Sequence, residues 1–228
     1  MTDPTAHRRP LWWERRRPFS LAEIVADGIV HGVGIATAIS IGTVLIVFAA
    51  IGTAQTELPA IIIYVTTLLM VLGASLAFNL APANGFRRVM ARIDQAAIFL
   101  LIAGTYTPFL AVLGGTPGAK LLTVAVWGMA LIGVALKLIV PERFGRLAIL
   151  LYLAIGWSGV LVFQTLAEVL PAPSFWLMIA GGLTYTVGII FHLWDRLKFQ
   201  NALWHVFVVA GSTCHLWAIF HVMVLDRL

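Results

Sequence analysis

The chain has 228 residues, 61 % hydrophobic and 11 % charged, a composition too apolar to hide in one soluble core, so a bilayer is its solvent. Its net charge of +5 is gathered in short clusters between apolar runs, which points to topology control and anionic lipid headgroups and away from nucleic acid. The single cysteine, Cys214, excludes an internal disulfide and a thiolate metal site.

Residues 1–20 carry five arginines and no small-residue cleavage site. The apolar stretch behind them exceeds the core of a signal peptide, which predicts a retained first span behind a basic cytoplasmic tail at 1–20. Trp12 and Trp13 beside Arg15, Arg16 and Arg17 fit an interfacial anchor and equally a solvated tail. Apolar stretches of membrane-crossing length run over Leu21–Ile51, Leu58–Leu80, Ile93–Leu113, Ala119–Val140, Leu147–Leu166, Phe175–Trp194 and Ala202–Leu225. Gly and Pro punctuate the joints at 81–85, 114–118, 141 and 171–173. The prediction is an all-α membrane protein, a bundle of seven transmembrane helices over 21–228, with no room between spans for a second domain. No stretch repeats with a period of roughly 20 to 50 residues, so neither a solenoid nor an inverted-repeat transporter is supported.

Lysine and arginine set the orientation. The tail, the 87–92 joint, the 137–146 joint and the 196–198 joint hold all of them except Lys120 and Arg227. Cytoplasmic joints concentrate these residues, which predicts the N-terminus inside and the C-terminus outside.

Ionisable groups at membrane depth are costly and face the bundle interior. Span 1 carries Glu23, Asp27 and His31 at four-residue steps, one stripe on one face. Ser20 with Glu23 fits a capping box; Asp27 and His31 lie deeper, where a structural hydrogen bond and a chemical role both stay open. Span 2 ends with Ser75 and Asn79, span 3 opens with Asp94, and span 7 opens with Asn201 and His205. These share one depth, so Asn79, Asp94, Asn201 and His205 converge if spans 2, 3 and 7 are neighbours. His192, Gln164, His215 and His221 read as interhelical hydrogen-bond partners. Thr105, Tyr106 and Thr107 read as satisfying backbone groups around Pro108.

Ser20-Leu21-Ala22-Glu23 with His31-Gly32-Val33-Gly34, Arg92-Ile93-Asp94 running into Ala103-Gly104-Thr105-Tyr106-Thr107-Pro108-Phe109, and Trp204-His205-Val206-Phe207-Val208-Val209-Ala210-Gly211-Ser212 with His215 together resemble the hemolysin III family. That bacterial family sits with the progestin and adipoQ receptors, the adiponectin receptors among them, and the likeness extends from Ser20 to the C-terminus. It implies a multi-pass protein of the bacterial inner membrane and zinc near the cytoplasmic side. Its ligands would be a histidine four residues after a span 2 serine, an aspartate opening span 3, and a His-x-x-x-His pair in span 7. Asp94 and His205 match that pattern, while Asn79 and Asn201 stand where histidines are expected. Zinc takes three or four imidazole, thiolate or carboxylate donors, so the expectation is a weak zinc site or none, replaced by a hydrogen-bonded polar cluster.

Three functions follow. The leading one is a lipid-binding or membrane-homeostasis protein with an acyl-chain ligand, requiring no turnover. The second is a hydrolase of ceramide-like lipid amides, implied by the superfamily, with Ser75 and Asp94 handling protons around a metal-bound water. The third is the cytolytic pore of the family name. Whether the chain is an enzyme, and its oligomeric state, stay open.

Overall fold

A computed structural model describes residues 19–52, 56–82, 85–140 and 145–227. The basic tail with its paired tryptophans therefore lies outside the described residues, apart from Phe19 and Ser20. Within them the chain is all helix, without strands, and seven helical stretches are long and apolar enough to cross a membrane.

The helices are α1 (Leu21–Ile51), α2 (Leu58–Leu80), α3 (Gly85–Val112), α4 (Pro117–Ile139), α5 (Gly145–Gly156), α6 (Phe163–Val169), α7 (Ala172–Leu193) and α8 (Gln200–Met223). Their starts follow local chemistry. Ser20 caps α1 in a reciprocal box: its hydroxyl accepts from the Glu23 N–H, and Glu23 Oε2 accepts from the Ser20 N–H at 2.9 Å. Thr116 caps α4, with Pro117 in the first helical position, where its missing N–H costs nothing. Gly114 and Gly115 form the preceding turn at φ of +62° and +74°, a conformation side chains disfavour. The third span starts earlier than its apolar run, at Gly85, because the polar turn 85–92 continues the helix out of the apolar layer.

The fifth span is not one helix. It breaks after Gly156 into a 3-10 turn, Ser158–Val162, and resumes as α6. Free backbone groups in an apolar medium need partners, and Tyr106 of α3 supplies them. Its hydroxyl donates to the Gly156 carbonyl at 2.7 Å and accepts from the Gly159 N–H at 2.7 Å. Around Pro108, Thr105 and Thr107 donate to the carbonyls of Leu101 and Ala103, both at 2.8 Å.

α1 packs between α2 and α8, α2 on α3, α3 on α4, and α7 on α8, while α5 rests against α3 and α4. The third and seventh spans are 56 % buried and the fifth only 11 %, so α3 and α8 form the centre. Close approaches occur at small residues, as in membrane helices generally. A Cβ on Gly34 would lie 2.6 Å from Val209 Cγ2, which brings α1 onto α8. Outward positions such as Ile29, Val124, Leu161 and Trp176 are apolar and exposed, as a lipid-facing surface requires.

Candidate functional site

Successive spans reverse direction, with α5 and α6 together forming the fifth, so the first turns of α1, α3 and α8 share one end of the bundle with the last turns of α2, α4 and α7. Every polar residue singled out above at that depth lies there. The four-residue spacing of Glu23, Asp27 and His31 turns all three inward, at 6 %, 2 % and 0 % exposure.

Asp27 is the hub. Its Oδ1 lies 2.5 Å from His205 Nδ1, and its Oδ2 accepts from Asn201 Nδ2 at 3.2 Å. Its backbone carbonyl, which can only accept, takes the His31 Nδ1–H at 2.8 Å. The rings of His31 and His205 meet edge to face with centroids 4.2 Å apart. On its other side, His205 Nε2 lies 3.0 Å from the Ser75 hydroxyl, which also interacts with the Asp94 carboxyl. Asn201 Nδ2 donates to Asn79 Oδ1 at 3.0 Å, and Asn79 Nδ2 is buried without a partner. Glu23 holds the frame: its Oε1 accepts at 2.8 Å from the N–H of Phe199, a non-glycine residue at φ 57° that turns the chain into α8. Such a left-handed residue costs roughly 1 kcal/mol, and this bond helps fix it.

The structure thus brings Asn79, Asp94, Asn201 and His205 together with Ser75. It also corrects one division: Asp27 and His31, read from the sequence as a separate polar stripe, belong to the same cluster. Their partner, His205, lies 178 residues from Asp27, and no spacing rule reaches that far. Of the remaining histidines, His215 packs against Tyr185 at 5.5 Å, well down α8, and His192 tilts against Trp204 at 4.9 Å. Gln164 is exposed.

The cluster opens on a cavity of about 810 Å³ bounded by α3, α5, α7 and α8. Ser75, Asp94, Gln95, Lys137 and His205 line its polar end, and Ile98, Ile102, Phe109, Leu153, Met178 and Ile179 line its shaft. Lys137 is the residue that sequence reasoning misplaced. Counted there as a joint cation, it is 2 % exposed and donates to Gln95 Oε1 at 2.5 Å. The signal was present, since Val126, Ala130 and Gly133 put Lys137 on the buried stripe of α4.

The zinc implied by the resemblance does not fit the positions it names. Asn79 Oδ1 already accepts from Asn201, and an amide oxygen is a poor zinc donor. Among the described residues, the grouping of three metal-ligating side chains is instead Asp27, His31 and His205, with ligand atoms all within 4.8 Å of one another.

Comparison with known proteins gives the lineage. A family model described as "Haemolysin-III related" matches residues 19–216. The chain is 38 % identical over 196 residues to the "Hemolysin-3 homolog" of Bacillus subtilis (strain 168), covering 85 % of this chain and 91 % of that one. It is 36 % identical over 192 residues to "Hemolysin-3" of Bacillus cereus, covering 83 % and 87 %. A shorter match, 28 % over 128 residues, joins 56 % of it to 52 % of the human "Monocyte to macrophage differentiation factor".

Proposed function

The chain belongs to the haemolysin-III related family, a multi-pass membrane protein by its seven spans, and from that premise we propose that it binds a membrane lipid, drawing an acyl chain into the bundle. The observation that carries this reading is the cavity. Its volume falls within the ~300–1,000 Å³ of small-molecule sites. From Asp94 to Phe109 its α3 wall is roughly 22 Å long at 1.5 Å per residue, enough for most of an acyl chain. The shaft is mostly apolar, with Thr105, Tyr106, Tyr185, Thr186 and His215 set among its aliphatic side chains, and the end at Asp94 and Lys137 is polar, which matches a lipid's own division. Lys137, a buried lysine, and Asp94, a buried carboxyl, both line that end, so the preferred head is a polar one that can accept from the first and donate to the second. With the N-terminus inside a bacterial inner membrane, as the basic joints suggest, the polar end faces the cytoplasmic leaflet.

The test is native mass spectrometry of protein purified in mild detergent, with extraction and identification of retained lipid. Lipid is expected in the wild type and strongly reduced in Ile102→Trp, which fills the shaft. Protein that arrives lipid-free and binds no added fluorescent fatty acid defeats the reading. Release of dye from vesicles by the purified protein would instead favour the lytic activity that the relatives' names carry.

One observation favours a hydrolytic second reading: Asp27, His205 and Ser75 form a hydrogen-bonded chain whose last two members line the polar end of the cavity. There His205, oriented by Asp27, would exchange a proton with Ser75, and Asp94 would hold the polar head. Fatty acid released from a ceramide-like amide by wild type but not by Asp94→Ala would establish it.

A further inference from the structure

We propose that Asp27, His31 and His205 hold a divalent transition-metal ion of zinc character, so that α1 supplies the donors which α2 and the first turn of α8 lack. The site is independent of the lipid reading above, since a chain that binds lipid but no metal would overturn this inference and leave that one standing.

The donor set is a carboxylate and two imidazoles, all buried, with ligand atoms within 4.8 Å of one another. Zinc sites open to a further ligand are built from three such groups. His31 carries the clearest mark. A carbonyl accepts and never donates, so the bond to the Asp27 carbonyl fixes the His31 proton on Nδ1 and leaves the Nε2 lone pair free. That Nε2 is buried, in a residue of 0 % exposure, and has no hydrogen-bond partner. A histidine whose other nitrogen is pinned to a backbone carbonyl is the arrangement metal-ligating histidines adopt. An unmet buried acceptor is unfavourable, and a cation answers it.

Charge leads to the same conclusion. Asp27 and Asp94 place two carboxylates at membrane depth. Neither bonds a lysine or arginine among the described residues, since Lys137 donates to Gln95. Buried carboxylates in an apolar layer call for a compensating positive charge. Asp27 Oδ1 and His205 Nδ1 lie 2.5 Å apart, and a metal ion bound by both would take the place of the proton of that hydrogen bond.

The surrounding amides complete the exchange. Asn201, at one position where the resemblance expects a histidine, donates to Asp27 Oδ2 and to Asn79 Oδ1. It thereby holds the carboxylate with Oδ1 toward His205, a supporting role around the ligands rather than a ligand's own. Asn79, at the other position, anchors Asn201.

The experiment is elemental analysis of protein purified in detergent without chelators, followed by titration with Zn²⁺ alone. The wild type is expected to hold about one ion per chain, lost by at least tenfold in Asp27→Ala and in His31→Ala. Adding Asn79→His and Asn201→His to His31→Ala should restore it, because those changes rebuild the donor set on α2 and α8. A wild type that carries no transition metal and takes up none on titration overturns the proposal, as does full retention in His31→Ala. Should His31→Ala fail to fold, Co²⁺ exchanged into the wild type decides: visible bands of four-coordinate cobalt with nitrogen ligands support the site, and their absence refutes it.

Discussion

Asp27 makes three kinds of contact at once, through Oδ1, Oδ2 and its backbone carbonyl, and each goes to a different side chain. Replacing it by alanine leaves a ring N–H of His205 and an amide N–H of Asn201 facing an apolar interior. Each unmet group costs about 1–3 kcal/mol. Asp27→Ala is therefore expected to lower thermal stability in detergent by several degrees, more than any other single change in the cluster. Ser75→Ala removes its hydrogen bonds to His205 and Asp94 and should cost about 1–2 kcal/mol, less than Asp27→Ala. A loss in Ser75→Ala equal to that in Asp27→Ala would mean that the cluster's stability does not rest on Asp27. The stripe of Glu23, Asp27 and His31 was legible in the sequence, as was the capping role of Glu23, because both follow from helical spacing. The second task of Glu23, holding the Phe199 turn, was not legible, since it depends on α1 and α8 lying side by side.

Between elements, the packing of α1 on α8 decides whether His31 and His205 meet. Gly34 lies nearly one turn beyond His31, against Val209. Gly34→Val would force two β-branched, stiff side chains together and push the helices apart, a strain of roughly 1–3 kcal/mol. Lower thermal stability and metal content together are the expected result, and unchanged values of both would show that the helices can separate without disturbing the cluster. The break between α5 and α6 offers a second test. Tyr106→Phe deletes the hydroxyl that serves both Gly156 and Gly159, so amide exchange should quicken at 156–163 while the ends of α3 stay protected. Equal protection in the variant and the wild type would show that the break is held by something other than this hydroxyl. Periodicity gave no warning of that break, because an apolar run reads the same whether its backbone is continuous or not.

At the scale of the whole molecule, Glu57 at the start of α2 pairs with Arg227 at 3.0 Å, tying the far end of the bundle to the chain's last turn. Burial works to raise the Glu57 pKa, but the Arg227 hydrogen bond, joined by that of Thr56, outweighs it and holds the pKa below 4.5. A carboxyl depressed on folding stabilises the fold above its unfolded pKa and loses that contribution as pH falls through the folded value. The tie is thus intact at neutral pH and released only in acid below 4.5. For a partly exposed pair the effect is about 1 kcal/mol or less and weakens with salt. Thermal stability of wild type and Glu57→Gln should differ slightly at pH 7 and converge in strong acid. A difference that widens in acid would reverse the sign and rule out the pairing.

Composition and hydropathy alone determined the solvent class of this protein and the number of its spans. Those properties depend on runs of neighbours, and neighbours are what a sequence lists. The broken fifth span and the burial of Lys137 depended on partners from other helices. So did the joining of Asp27 and His31 to His205. In a bilayer the sides of a helix are told apart only by which neighbour they touch, because lipid is as apolar as the core. Tertiary packing therefore decided that two asparagines in α2 and α8 would brace the Asp27 carboxylate that α1 offers to His205.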